Sequence, residues 1–146
     1  MDRQRLMPAH HWGWRGEQWS TIAQGWRVGD LVFVGGQVAL DEDGEIIGPG
    51  DIAAQTRAVY LAIQRVLREA GGELSDVVKI NTYVVTDAEG EEYDEFWRRM
   101  AAVRREFFPK DGPCGTGVVV SQLVYPGLLI EVECIAAIPE SRRAVA

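Results

Sequence analysis

The last apolar stretch of the chain, residues 128–138 (LLIEVECIAAI), constrains the fold more than any other feature. Read as a strand, it places Leu128, Ile130, Val132, Cys134 and Ala136 on one face. Leu129, Glu131, Glu133 and Ile135 fall on the other. The first face is wholly apolar and suits a helix layer. The second mixes apolar groups with two carboxylates and suits neither a dry core nor plain solvent. Residues 77–85 (VVKINTYVV) and 116–123 also carry apolar groups on both faces. A sheet built from such strands needs helices on one side and a further partner on the other. That partner is either a subunit copy or the tryptophan-rich N-terminal segment.

The remaining pattern supplies the helices. Residues 20–28 and 31–40 read as strands separated by a Gly29-Asp30 turn. Gly35-Gly36 interrupts the second of them, which marks a bulge or a close backbone approach. Residues 41–50 form an acidic, glycine-rich loop. Asp51 can N-cap a helix whose apolar stripe is Ile52, Val59, Ile63, Val66 and Ala70, with Gln55, Arg57, Gln64, Arg65 and Arg68 mostly off it. Gly71-Gly72 allows a left-handed end. A second helix over residues 90–108 carries Tyr93, Phe96, Trp97, Met100, Val103 and Phe107 on one face, and Pro109 stops it. A short loop at 110–113, a strand at 116–123, a turn at 124–127 and the last strand complete the order β-β-α-β-α-β-β. One apolar stripe per helix puts both helices on one sheet face, an α+β sandwich of two layers.

With 146 residues the chain fits a single domain. Residues 1–18 read as irregular, 20–138 as the core and 139–146 as a frayed tail. No apolar run is long enough to span a membrane, and the opening residues lack the apolar region of a secretory signal. Fifteen basic against 22 acidic residues give a net charge of −7, which argues against a nucleic-acid partner. Two cysteines without a CxxC spacing suit a reducing cytoplasm, and two adjacent histidines, His10 and His11, make no zinc site. Neither a metal nor a cofactor is expected.

Four stretches, in this order and spacing, resemble the reactive intermediate deaminase (Rid, YjgF-like) family. They are LVFVGGQVAL, DIAAQTRAVYLAIQRVLREAGGELSDVVKINTYVVTD, YDEFWRRMAAVRREFF and LIEVECIAAI. The resemblance implies a chorismate-mutase-like sandwich with a mixed sheet. It also implies a homotrimer with small-molecule clefts between subunits, and hydrolysis of enamines and imines to a carbonyl compound and ammonia. Residue by residue, the family's Ser-Gly-Gln matches Gly35-Gly36-Gln37, and its cleft glutamate matches Glu131. The family's Pro-Ala-Arg-Ser/Thr reads Pro113-Cys114-Gly115-Thr116 here, so glycine stands where the substrate-clamping arginine is expected. A cleft tyrosine falls at Ile22, a helix asparagine at Ala101, and a cysteine at Gly117.

The missing arginine matters physically. Its guanidinium clamps a carboxylate through two charge-assisted hydrogen bonds, and losing such a contact in a desolvated site costs about 2–5 kcal/mol. Efficient hydrolysis of 2-aminoacrylate-type substrates is therefore not expected. Glu131 is the candidate catalytic group, since desolvation on an interface-facing strand raises a carboxyl pKa toward proton-transfer duty. A structural ion pair or hydrogen bond is the alternative for it, and the preferred reading for Glu133. Candidate substrate-binding residues are Gly35, Gly36, Cys114, Gly115, Thr116, Trp19 and Ile22. Gly115 either offers backbone groups or enlarges the pocket. Trp12, Trp14, Trp19 and Trp26 suit a bulkier or aromatic ligand, or pack the N-terminal segment onto the sheet. Cys114 has no histidine partner in sequence and reads as packing. Arg98, Arg99, Arg104 and Arg105, interleaved with acids, read as a solvated face. The leading function is hydrolytic deamination of small reactive enamines or imines. A non-catalytic metabolite-binding trimer is the alternative, and an endoribonuclease or translation inhibitor the weaker one.

Overall fold

Five strands lie close to where alternation and β-branched runs place them, and a sixth lies in a segment read as irregular. The computed structural model describes residues 2–12 and 21–142. In chain order its elements are β1 (Arg3–Leu6), β2 (Gly25–Val28), β3 (Leu31–Val38), α1 (Ile52–Glu69), β4 (Val77–Val84), α2 (Gly90–Phe107), β5 (Cys114–Val119) and β6 (Ile130–Ala137). One six-stranded sheet runs in the order β1-β2-β3-β6-β4-β5. Every neighbouring pair is antiparallel except β4 with β5. A parallel pair needs a long crossover, and α2 provides it. α1 connects β3 to β4, which flank β6, so both helices cover the same face.

The expected stripe of α1 is buried in full, and Tyr60 and Leu67 widen it. Asp51 caps the helix, its Oδ1 accepting from the N–H groups of Ala53 (3.0 Å) and Ala54 (3.2 Å). Gly71 at φ +80° closes it. Against this helix lie Val32, Val34, Ile130, Val132, Cys134 and Ala136, all buried. Gln55, expected mostly off the stripe, is buried among them. The Gln55 amide donates to Gly127 O (3.0 Å) and Gly48 O (3.3 Å) and accepts from the Leu129 N–H (2.8 Å), tying the start of α1 to the entry of β6. α2 meets β5 over glycine: a Cβ on Gly117 would stand 3.4 Å from the Trp97 ring.

Several boundaries differ from the sequence reading. β1 forms because Arg3–Leu6 pairs with β2 and buries Leu6 completely, a tertiary gain that one apolar residue in four does not announce. β2 begins at Gly25 rather than at residue 20, which lies outside the described residues. β3 leaves the ladder at Val38, although Leu40 still bridges Ile46. β5 starts two residues early, at Cys114, and stops at Val119, since its length is set by pairing with β4 from Lys79 to Val84. Glu140–Arg142 is a short 3-10 turn rather than a frayed tail. Arg142 Nη2 meets Asp76 Oδ1 at 2.6 Å, and the Glu140 N–H donates to Asp30 Oδ1 at 2.8 Å.

Among the described residues no helix or strand covers the sheet face opposite the helices. Leu31 (44% exposed), Phe33 (41%) and Val118 (40%) remain exposed there, so β1 lengthens the sheet instead of covering that face. No helix among the described residues is long and apolar enough to cross a membrane.

Candidate functional site

The site begins with the glycine pair. Val34 pairs with Cys134 and Gln37 with Val132, so β3 carries one extra residue across the Gly35-Gly36 stretch, a bulge. The bulge turns Gln37 inward and brings Gly36 under Glu131. A Cβ on Gly36 would fall on the Glu131 carboxylate, 2.9 Å from its Cδ. Glycine is required here for close approach rather than for an unusual backbone angle. Both sequence-level readings of the pair, bulge and close approach, hold.

Glu131 and Gly36 open into a cavity of about 230 Å³ whose other walls are Trp12, Ile22, Val38, Val124 and Tyr125. Those walls are apolar or aromatic. Among the described residues no group hydrogen-bonds the Glu131 carboxylate. Burial pushes its pKa above the ordinary carboxylate value, and the negative charge of Glu133 adds to the shift. Glu133 sits two residues along the same strand in a different setting. It accepts from Asn81 Nδ2 (3.0 Å) and from Tyr83 Oη (2.9 Å). The hydrogen bond to Glu133 in turn raises the pKa of the Tyr83 hydroxyl. One carboxylate is thus held as an acceptor within a small network, and the other has no such donor among the described residues.

Three expected site residues, Ile22, Gly36 and Glu131, come together in this cavity. Gly35 lines a neighbouring hollow of about 310 Å³ on the open face with Trp26, Phe33, Lys79 and Glu133. Trp26 packs under the Arg3 guanidinium, 4.8 Å from the ring centre, as a sheet-packing residue. Cys114, Gly115 and Thr116 lie on β5 and are not among the cavity's walls. Gly115 stands opposite Ile80, and a Cβ there would meet Ile80 O at 2.6 Å, so the arginine position is closed by β4. The Cys114 thiol is exposed and donates to Val78 O at 3.2 Å. Trp19 lies outside the described residues.

The other singled-out groups take structural places. His10 bonds Glu42 at the surface. Arg98 pairs with Glu95 and Arg99 with Asp51, while Arg104 donates to Pro113 O, a solvated helix face as expected. The buried Cys134 thiol is pushed up to about 12, chiefly by desolvation. Val38, Val124 and Tyr125 are walls that the sequence reading did not select. Val38 faces Glu131 only because the bulge shifts the register, and Val124 and Tyr125 lie in a segment legible merely as a turn. The aromatic Tyr125 just before Pro126-Gly127 was the one available signal.

Comparison with known proteins follows the fold. Residues 18–138 match the family described as Endoribonuclease L-PSP. A RutC family protein of Pyrococcus abyssi is 39% identical over 115 residues, 78% of this chain and 84% of that one. The 3-aminoacrylate deaminase RutC of Acinetobacter baylyi is 34% identical over 113 residues, 75% of this chain and 81% of its own. A crystal structure of a YjgF/YER057c/UK114 family member from Mycobacterium tuberculosis shares the fold with a TM-score of 0.74 at 31% identity, covering 94% of this chain and 100% of that one.

Proposed function

Since the chain belongs to the Rid family, also called YjgF-like or L-PSP, we propose that it is a hydrolytic deaminase of reactive enamine and imine metabolites bulkier than 2-aminoacrylate. The observation that carries this reading is the Glu131 carboxylate, unpartnered among the described residues, in an apolar and aromatic cavity with its pKa raised by burial. A carboxylate whose pKa is raised is a stronger base than an ordinary one, which suits it to proton transfer. The similarity to a 3-aminoacrylate deaminase supports the same reaction class.

The step balances as follows. Glu131 takes a proton from water as the oxygen bonds to the imine carbon, and passes it to the nitrogen, which receives the electron pair of the double bond. The resulting carbinolamine then collapses. Its hydroxyl proton returns through the carboxylate to nitrogen, the carbon–nitrogen bond breaks, and ammonia leaves a carbonyl behind. An enamine enters the same route after protonation at carbon.

The substrate size follows from what is missing. Gly115 provides no guanidinium for a substrate carboxylate, so affinity has to come from the apolar walls. The working form is a homotrimer with the ligand in clefts between subunits, a reading supported by exposed Leu31, Phe33 and Val118 on the uncovered sheet face. Two free cysteines agree with a cytoplasmic setting. The second reading, a non-catalytic metabolite-binding trimer, is favoured by the same Gly115. An endoribonuclease role has the net charge of −7 against it.

The test is imine hydrolysis on the purified protein, with an amino-acid oxidase generating imines and semicarbazide trapping what escapes. The wild type should lower semicarbazone formation from bulky imines. Glu131→Gln should lose about 10²–10⁴-fold in rate, with the assembly seen by light scattering unchanged. Equal activity in both proteins would remove Glu131 from the chemistry. Inactivity of the wild type on every imine would favour the binding module.

A further inference from the structure

Trp12 lies in coil after β1, far in sequence from the strands that carry the carboxylate. It is nonetheless 7% exposed and forms one wall of the Glu131 cavity. Its position is specified at several points. Leu6, six residues earlier, is fully buried. The Met7 N–H donates to Glu69 Oε1 (3.0 Å), and Met7 Sδ accepts from the Gln24 N–H (3.3 Å). The Trp12 indole Nε1 then donates to Gln37 Oε1 at 3.2 Å. The Gln37 amide is itself buried, donating to Gln24 Oε1 (2.8 Å) and Gly35 O (3.0 Å).

Gln37 directly follows Gly36 in the β3 bulge. One irregularity in β3 therefore seats the carboxylate on its glycine side and anchors the indole on its glutamine side. A wall fixed this way has a set distance from the carboxylate, which is the requirement for a size filter. From this juxtaposition we infer that Trp12 is a specificity-determining residue, selecting imines whose substituent is apolar and aromatic by stacking it while the nitrogen lies at Glu131. The inference rests on the hydrolase reading of the same cavity and adds the substrate class to it. Ile22, Val38 and Tyr125 extend the apolar surface, and an aromatic substituent fills it better than a methyl group does.

The experiment compares wild type, Trp12→Phe, Trp12→Leu and Trp12→Ala on imines generated from phenylalanine and from alanine. Trp12→Leu keeps the position apolar if Trp12→Ala fails to fold. The expected result is a loss of at least about tenfold in kcat/KM for the aromatic imine in Trp12→Leu and Trp12→Ala, a smaller loss in Trp12→Phe, which keeps an aromatic ring and gives up the Gln37 hydrogen bond, and in each variant a smaller loss on the small imine than on the aromatic one. Equal loss on both imines, no loss on either, or Trp12→Phe behaving as Trp12→Leu would overturn the assignment. If the wild type hydrolyses neither imine, the hydrolase reading fails on its own, and benzylamine titrated by NMR decides the wall. A Kd at least about tenfold weaker in Trp12→Leu, with Trp12→Phe between that and the wild type, supports it. The same Kd in all three proteins, or no saturable binding to the wild type, overturns it.

Discussion

β6 separates two regions of the molecule by the thickness of one strand. On the helix side Ile130, Val132, Cys134 and Ala136 are closed off by α1 and the sheet. On the open side Glu131, Glu133 and Ile135 are half-buried, beside exposed Phe33 and Val118. The helix side closes a core within one chain, with the Gln55 amide joining α1 to β6 and the Tyr60 hydroxyl left unpaired there among the described residues. The open side does not, since it keeps a carboxylate partly desolvated without a donor among the described residues. The first region holds the core and the second the candidate site, and their side chains alternate along the same eight residues.

The comparison can be broken at adjacent positions. Ile130→Ala should remove about 2–5 kcal/mol of stability, read from the midpoint of denaturant unfolding, while turnover per folded molecule stays near wild type. Glu131→Gln, one residue on, should do the reverse. If both changes lowered stability alone, the two faces would not be functionally distinct.

A smaller effect is expected at the bulge. Gly36→Ala should cost about 1–3 kcal/mol, because the new methyl takes the place of the Glu131 carboxylate, and turnover should fall with it. Gly35→Ala, whose Cβ would stand 3.4 Å from its nearest neighbour, should be tolerated better. Thermal melts and the imine assay on the pair separate close approach from a general need for glycine.

The smallest effect sharpens the electrostatic contrast. The folded state raises the Glu131 pKa, so it binds the proton more tightly than the unfolded chain does. The resulting stabilisation is complete below the ordinary carboxylate pKa and is lost as pH rises through the raised folded value. Glu131→Gln cannot ionise, so its melting temperature should hold up better than the wild type's above that window. The difference should shrink on acidification. A wild type that instead gains stability over Glu131→Gln as pH rises through the window would mean that Glu131 has a cationic partner in the assembled protein.

Much of the fold was legible because it follows from local patterns. Alternation in β6, the stripe of α1, the Asp51 cap and the Gly35-Gly36 irregularity each have a local cause. The N-terminal strand was not legible, because RQRL becomes a strand only through the open edge of β2. The ends of β5 were missed for the same reason, being set by β4. Within the site, Glu131 and Gly36 could be read from the strand and its family resemblance. Trp12 was visible as one of several tryptophans, but nothing local distinguishes it from Trp26, which packs beneath Arg3 instead.

By itself, the sequence determined which residues alternate, where helices start and stop, and that one sheet face carries carboxylates among apolar groups. These are properties of neighbouring residues and survive in any context. Only the tertiary structure decided that Trp12 meets the bulge of β3 and that Gly115 is closed off by Ile80. It also decided that, among the described residues, Glu131 stands without a donor while Glu133 has two. Those outcomes depend on register and on contacts between distant segments, where a shift of one residue exchanges the two faces of a strand.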